Sequence, residues 1–583
     1  MADIKFNALL FDTRSIQRYI YSGNLLRTNI GASYIVDRIF FDTLVKTLQE
    51  IFPQENFSSA KDTAWDSKQD KIAAWETMKS CCVAYNGGGN ALILFDAEKE
   101  DKRREVVKKF TMKLLETRPG LKVGVAFGEL NIINGELNQN DISALYTELK
   151  KNQNNIFPAV NVPYSGLTLS CEINGEAANF CDTKFIVRPK EDANSEVRFY
   201  SQETAVKADM ANDANKSLKE RFNEIFKVKK SSVRMDDYEF PTKVDELGQK
   251  DGENYFSIIH VDGNNMGVKF RGCQNLTERR QLSREIRRKT EGAFADLLRR
   301  IIAAKNNGIF DEILNFKNEK ILPIRPLILG GDDVTFICPA NMAVLFTKTL
   351  MESLNETTTE NSPECTTQDA ASKMDCCAGI AILPTAYPFF RGYELAEQLC
   401  DSAKKSMRAI LPEDFNDKTN LTADDLKSCT SWLDFAILHG EQAPTLEQIR
   451  QREYTGTRGN LHFGPYQVCN KNKSRYNIEN LLSCTAQFLN YKKPQPPKGT
   501  MAHGKIKELR GILQRGKDDT AKFLQQLKLQ GQKLPFVEDW KNCITDSLWS
   551  GGNEPRTPYV DAIELMDFYS PEVAEKWQSL QLP

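Results

Sequence analysis

Apolar and polar positions alternate with a period of two over "IKFNALLFDT", residues 4–13, and predict a strand. From about Ser33 to Ile51 the apolar positions recur at helical spacing. Strand-like runs return in "KSCCVAY" and "ALILFD" on either side of "NGGGN"; a helix near Lys102 to Thr117 and a strand over "LKVGVAFGEL" follow. A period that switches from two to 3.6 and back marks an α+β sheet domain. After a polar stretch around Asn152 to Asn161, "QETAVKADMANDANKSLKERFNEIF" predicts a helix, and the charged "KVDELGQKDGE" reads as a linker.

The first order then repeats. Strand "YFSIIHVD" leads through "GNNMG" into a basic helical stretch from about Leu276 to Ala304, then strand "RPLIL", "GGDD", strand "VTFIC" and a helix from about Asn341 to Leu354. Strand "CCAGIAILP" and helix "GYELAEQLCDSAKKSMR" close the unit. Asp12 matches Asp262, "GGGN" matches "GGDD", and "VGVAF" matches "AGIAI", so one domain has been duplicated and its copies differ at the charged positions. The polar insertion from Asn355 to Lys373 reads as a mobile loop. Beyond about Pro412, "SWLDFAILHG", "NIENLLSCTAQFLNY", "HGKIKELRGILQRG" and "AKFLQQLKLQGQ" carry apolar positions at helical spacing and predict a helical bundle, with "KKPQPPKGTM" a proline-rich connector. The resulting division is 1–165, first sheet domain; 166–250, linker and helical module; 251–412, second sheet domain; 413–583, C-terminal helical domain.

Composition narrows the function classes. A chain of 583 residues is too long for one core. Lys+Arg 77 against Asp+Glu 79 leaves a formal charge of −2, so no global basic field marks a nucleic-acid binder, although a local basic groove stays open. No run approaches the roughly 18 apolar residues of a membrane span, and the N-terminus lacks a signal layout. Fourteen cysteines without a Cys-x-x-Cys suit reduced thiols in a cytoplasmic protein. Cys171 and Cys181 in "SCEINGEAANFCDTK" are too few for a closed zinc site, which takes about four ligands. The four histidines share no ligand spacing.

The chemistry gathers in "RPLILGGDDVTFICP". Gly330 and Gly331 allow a tight turn, and Asp332 and Asp333 set two negative charges at its tip; a divalent metal relieves that repulsion most simply. Asp262, ending an apolar strand, delivers a third carboxylate to the same edge. Gly263, Asn264, Asn265, Met266 and Gly267 form a turn whose backbone N–H groups suit a triphosphate, while Lys404 and Arg408, at i and i+4, suit its β- and γ-phosphates.

"VDGNNMG", "LILGGDDVTFIC" and "CAGIAILPTAYPFFRGYELAEQLCDSAKK" resemble the catalytic palm of the large polymerase-like subunit of type III CRISPR effectors, related to the GGDEF nucleotidyl cyclases. "TRSIQRYIYSGNLLRTNIGASYIVDRI" resembles that family's first palm, and "TPYVDAIELMDF" its terminal helical domain. The resemblance implies an α+β fold of two ferredoxin-like palms, a helical linker module and a C-terminal helical bundle. It implies a nucleotidyltransferase that makes cyclic oligoadenylates from ATP in antiviral defence, with Mg²⁺ or Mn²⁺ held by Asp262, Asp332, Asp333 and the Gly263 carbonyl. Guide or target RNA and other type III CRISPR subunits are the partners it implies. Three departures stand out: no histidine-aspartate nuclease pattern precedes the first palm, so DNA cutting is expected to be missing; the cysteine-rich module is reduced to Cys171 and Cys181; and the second acidic position of the D-x-D pattern is Asn264. In the first palm Gly87, Gly88, Gly89 and Asn90 stand where the second has GGDD, with Gly89 and Asn90 in place of the two aspartates, so that palm is expected to position an acceptor nucleotide without catalytic metal. Two alternatives belong beside this reading: a dinucleotide or AMP-conjugate synthase of the same fold, and a non-catalytic RNA-binding scaffold.

Overall fold

The computed structural model describes residues 4–57, 78–87, 89–133, 136–154, 166–190, 196–250, 252, 254–356, 374–409, 431–440, 444–468, 474–541, 544, 548–551 and 554–580. The insertion expected as a loop, from residue 357 onward, and Gly88 lie outside them.

The first unit runs β1 (Ile4–Arg14), α1 (Leu26–Arg38), β2 (Cys81–Gly87), β3 (Asn90–Asp96), α2 (Arg103–Thr117), β4 (Lys122–Ile133) and α3 (Gln139–Asn154). Its strands lie in the order β2-β3-β1-β4, with Glu136–Leu137 on the edge beyond β4. Alternation along β1 decides what packs where: Phe6, Ala8 and Leu10 face the cluster that holds Ile142, Leu145 and Leu149 of α3, while Leu9 and Phe11 face the helices of the opposite side. Asp12 continues the α3-facing series. The helix expected from Ser33 begins earlier, at Leu26, and passes through a π turn at Ile39–Leu44 before ending as Val45–Ile51.

α4 (Gln202–Val228) leads to the second unit: β5 (Tyr255–Gly263), α5 (Leu276–Asn306), β6 (Arg325–Gly330), β7 (Asp333–Pro339), α6 (Ala343–Asn355), β8 (Cys376–Pro384) and α7 (Phe389–Arg408). The strand order β6-β7-β5-β8 reproduces that of the first unit. α7 lies close on β8, where a Cβ at Gly379 would stand 1.9 Å from the Ala396 carbonyl oxygen. Only glycine permits that approach.

Two expectations need correction. "SWLDFAILHG" is not a helix: β9 (Trp432–Ile437) pairs parallel with β8, and β10 (Tyr466–Gln467) extends the same sheet, so six strands cross the boundary drawn at 412. All six β9 residues are buried, and a run buried on both faces has no period to distinguish strand from helix. The supposed linker at 243–253 is packed where it is described: Leu247 is fully buried, and Phe316 covers Gly248. Beyond the sheet, α8 (Ile478–Phe488), α9 (His503–Arg515), α10 (Lys517–Leu529), α11 (Tyr559–Leu565) and α12 (Pro571–Gln578) form the helical part. No helix among the described residues is long and apolar enough to cross a membrane.

Candidate functional site

Asp262, near the end of β5, faces Asp333, the first residue of β7, across an antiparallel pair. Asp332 occupies the turn between β6 and β7, where the Gly263 N–H donates to its carbonyl oxygen at 3.2 Å. Gly331 has φ +67°, a conformation glycine adopts without strain. A Cβ on Gly263 would lie 2.8 Å from the Asp332 Cβ, so the glycine lets the turn close onto the strand end. The three carboxylates therefore sit at one sheet edge, all half-buried.

Each has a distinct neighbour. Lys404 of α7 donates to Asp262 Oδ2. His260, buried on the α7-facing side of β5, places Nδ1 at 3.3 Å from Asp333 Oδ1, a buried oxygen with no hydrogen-bond partner. Burial pushes the Asp332 carboxyl up to about 6, with Asp262 and Asp333 adding to the rise and Lys404 opposing it. Burial disfavours the His260 imidazolium, but Asp333, Asp262 and Glu397 outweigh it and hold the ring's pKa above its ordinary value. Among the described residues no three ligating side chains converge as a metal cluster. The donors fit a hard divalent cation in kind: three mutually repelling carboxylates, one of them with an orphaned buried oxygen, beside the Gly263 carbonyl.

The other expected residues fall around this edge. Asn265 adopts a left-handed conformation at φ 59° and starts the short helix Met266–Gly272. Asn264 is buried, its N–H bonded to the Asp375 carbonyl and its amide directed at Met407 Sδ, so it turns toward α7. Arg408 is exposed at the end of α7. Cys171 is buried and Cys181 exposed.

The first unit repeats the geometry without the charge. Asp12 faces Asn90 in the same register in which Asp262 faces Asp333, and the Thr13 N–H donates to the Gly89 carbonyl at 2.8 Å, as Gly263 does to Asp332. Gln153 of α3 donates to Asp12 Oδ2 where Lys404 of α7 serves Asp262. The sequence separations of the two contacts are 141 and 142 residues. Burial raises the pKa of Asp12, with the Gln153 hydrogen bond opposing it. Neither α3 nor Gln153 is among the residues expected from the sequence, although Ile142, Leu145 and Leu149 carry a helical spacing that signals the helix.

Residues 255–410 match the family model for the second palm domain of Cas10/Cmr2. The second unit is a Cas10/Cmr2 second palm. The first unit repeats the strand order of this palm and in that sense is a first palm. No curated protein matches the chain. Among solved structures, a chain of the Csm1-Csm4 cassette in complex with cA3 is 11% identical with a TM-score of 0.47, over 97% of this chain and 69% of that one. A chain of the same cassette in complex with cA4 is 11% identical with a TM-score of 0.38, and one of the apo cassette is 12% identical with a TM-score of 0.39. The aligned part spans 69% of this chain and 53%, about half, of each of those two.

The palms face each other across their glycine turns. A cavity of about 270 Å³ is lined by Gly87 and Gly89 of the first and by Gly330 to Asp333 of the second. A second, of about 610 Å³, reaches Asn90, Lys150, Gly267 and Asp332.

Proposed function

We propose that the chain is a metal-dependent nucleotidyltransferase that joins ATP into cyclic oligoadenylates with release of pyrophosphate, in antiviral defence. One observation carries the reading: the second palm keeps Asp262, Asp333 and the Asp332 turn at one edge, whereas the first keeps the same register with Asn90 and Gly89. Charge has been retained in one copy and lost from the other, as a division between a reacting and a positioning site requires.

Asp262, Asp332, Asp333 and the Gly263 carbonyl would hold Mg²⁺ or Mn²⁺. When bound, the ion acidifies the attacking ribose hydroxyl and offsets charge on the α-phosphate. Lys404 holds Asp262 toward the reacting edge, and its ammonium adds a fixed positive charge where the triphosphate lies. The Gly263 to Gly267 turn and Gly330-Gly331 leave backbone close enough to approach phosphate, and Arg408 meets its far end. Gly87 to Asn90 orient the acceptor nucleotide, so that two ATP molecules meet across the palms. RNA and other type III CRISPR subunits are the partners expected to regulate turnover.

The test is incubation of the purified protein with ATP and the other nucleoside triphosphates, with Mg²⁺ or Mn²⁺, alone and with type III subunits and target RNA. Mass spectrometry is expected to find cyclic adenylates. Linear dinucleotides or AMP adducts would replace the product class, and intact nucleotide under every condition would favour the scaffold.

A further inference from the structure

The shared register lets each buried position of the second palm be compared with its counterpart in the first. Along β1 the α3-facing series is Phe6, Ala8, Leu10 and Asp12; along β5 the matched series is Phe256, Ile258, His260 and Asp262. On the facing strands, Asn90, Leu92 and Leu94 match Asp333, Thr335 and Ile337. Ala8 pairs with Leu94 where Ile258 pairs with Ile337, so both copies are apolar there. One step nearer the turn they part: Leu10 pairs with Leu92, but His260 pairs with Thr335.

All four of these side chains are buried. The fold fills the place with two leucines in one copy, yet the other puts an imidazole and a hydroxyl there, although polar groups are costly to bury. The exchange goes with the carboxylate. Leucines stand behind Asn90, and the polar pair stands behind Asp333.

Geometry joins the pair to that carboxylate. His260 and Asp333 are diagonal neighbours on one face of the sheet, with His260 Nδ1 3.3 Å from Asp333 Oδ1 and 3.3 Å from Thr335 Oγ1. That Oδ1 is buried and has no hydrogen-bond partner among the described residues. The Tyr393 ring of α7 meets the imidazole edge-on at 5.4 Å and limits its tilt.

We propose that His260, backed by Thr335, is a positioning residue that fixes the direction in which Asp333 presents its carboxylate to a divalent cation. The inference rests on the metal-dependent reading of the site. His260 acts through Asp333, and removal of a group that orients a metal-holding side chain typically costs about 10–100-fold in metal affinity.

The experiment is a titration of the full chain with Mn²⁺ in the absence of nucleotide, followed by electron paramagnetic resonance, with melting temperatures alongside. Wild type is expected to bind an ion that Asp332→Asn/Asp333→Asn does not. His260→Leu/Thr335→Leu, which installs the first palm's pair, is expected to melt with wild type and to hold that ion about 10–100-fold more weakly. His260→Asn, whose amide nitrogen falls near the place of Nδ1, is expected to restore most of the affinity. A merely structural role would lower the melting temperature and leave the affinity of the folded protein unchanged. Should the leucine pair not fold, His260→Gln, whose amide reaches past the place of Nδ1, carries the same comparison. A folded leucine pair that binds Mn²⁺ as tightly as wild type, or an asparagine variant as weak as the leucine pair, overturns the proposal and leaves the metal reading standing. Mn²⁺ binding that is the same in wild type and in the aspartate double variant overturns both.

Discussion

Tyr21 of the first palm stacks on Tyr393 of the second, with ring centroids 4.7 Å apart and planes 24° from parallel. Tyr393 meets His260 edge-on at 5.4 Å, and His260 stands beside Asp333. One residue run away, Asn24 Oδ1 accepts from the Phe389 N–H at 2.9 Å, so the first palm also caps the start of α7. The helix that presents Lys404 is thus seated partly by the other palm. Tyr21→Ala is expected to destabilise the protein by about 3–5 kcal/mol, as aromatic truncation in a core does, while Tyr21→Phe, which keeps the stack, costs under about 1.5 kcal/mol. Urea unfolding measures both. Equal stability of Tyr21→Ala and wild type would mean that the stack does not hold the palms.

The Lys404 and Gln153 contacts occupy matched places, so their removal should have unmatched effects. Lys404→Met is expected to lower nucleotide turnover by about 10²–10³, the usual cost of losing one positioned donor at a reacting phosphate. Gln153→Leu should change it only a few-fold. Steady-state rates on folded variants check this, and equal losses would contradict an asymmetric pair of palms.

A parallel comparison concerns the carboxylates themselves. Asp12→Ala is expected to cost far less activity than Asp262→Ala, because Asp12 faces Asn90 and Gln153 and has no second carboxylate opposite it. Nucleotide titrations beside the rates separate binding from chemistry. If Asp12→Ala is as inactive as Asp262→Ala while folded, the first palm holds metal.

The duplicated sheet was legible because β1 and β5 are apolar runs of strand length that each reach an aspartate near their end, and a tight glycine turn punctuates each hairpin. Register followed from those landmarks: matching "GGGN" to "GGDD" places Asn90 opposite Asp12 as Asp333 lies opposite Asp262. Trp432–Ile437 was not legible, since a strand buried on both faces shows no period. Nor were contacts that depend on three-dimensional closure. Nothing in spacing joins His462 to Asp434 and Asp561, or Gln153 to Asp12, because residues far apart in sequence meet only once the sheet and its covering helices are packed.

That histidine gives the protein a pH signature. His462 is fully enclosed, with Nε2 3.0 Å from Asp434 Oδ1 and Nδ1 2.9 Å from Asp561 Oδ1, and it ties the palm sheet to α11. Burial and Arg450 disfavour the imidazolium, but Asp561 and Asp434 outweigh them and raise its pKa. Burial alone would raise Asp434, yet Arg450 and His462 hold it down to about 2; Asp561 is likewise lowered, chiefly by His462 against burial. The histidine contribution is complete below the unfolded value of about 6.5 and is lost as pH rises through the higher folded value; the aspartate contribution is complete above about 3.9 and is lost as pH falls through the lower folded values. The melting temperature should therefore fall on raising the pH beyond the imidazole range, and His462→Gln should flatten that fall while destabilising the protein by about 3–5 kcal/mol. A variant whose profile keeps the wild-type slope would assign the titration elsewhere.

The claim that the second palm's carboxylates carry nucleotidyl transfer is tested most directly by Asp332→Asn/Asp333→Asn, assayed for pyrophosphate release from ATP with Mg²⁺ or Mn²⁺ under conditions in which wild type turns over. The account predicts a variant that melts with wild type and releases no pyrophosphate, because the lost groups sit half-buried at a sheet edge and not in the core. Pyrophosphate release at the wild-type rate by the folded double variant would contradict it.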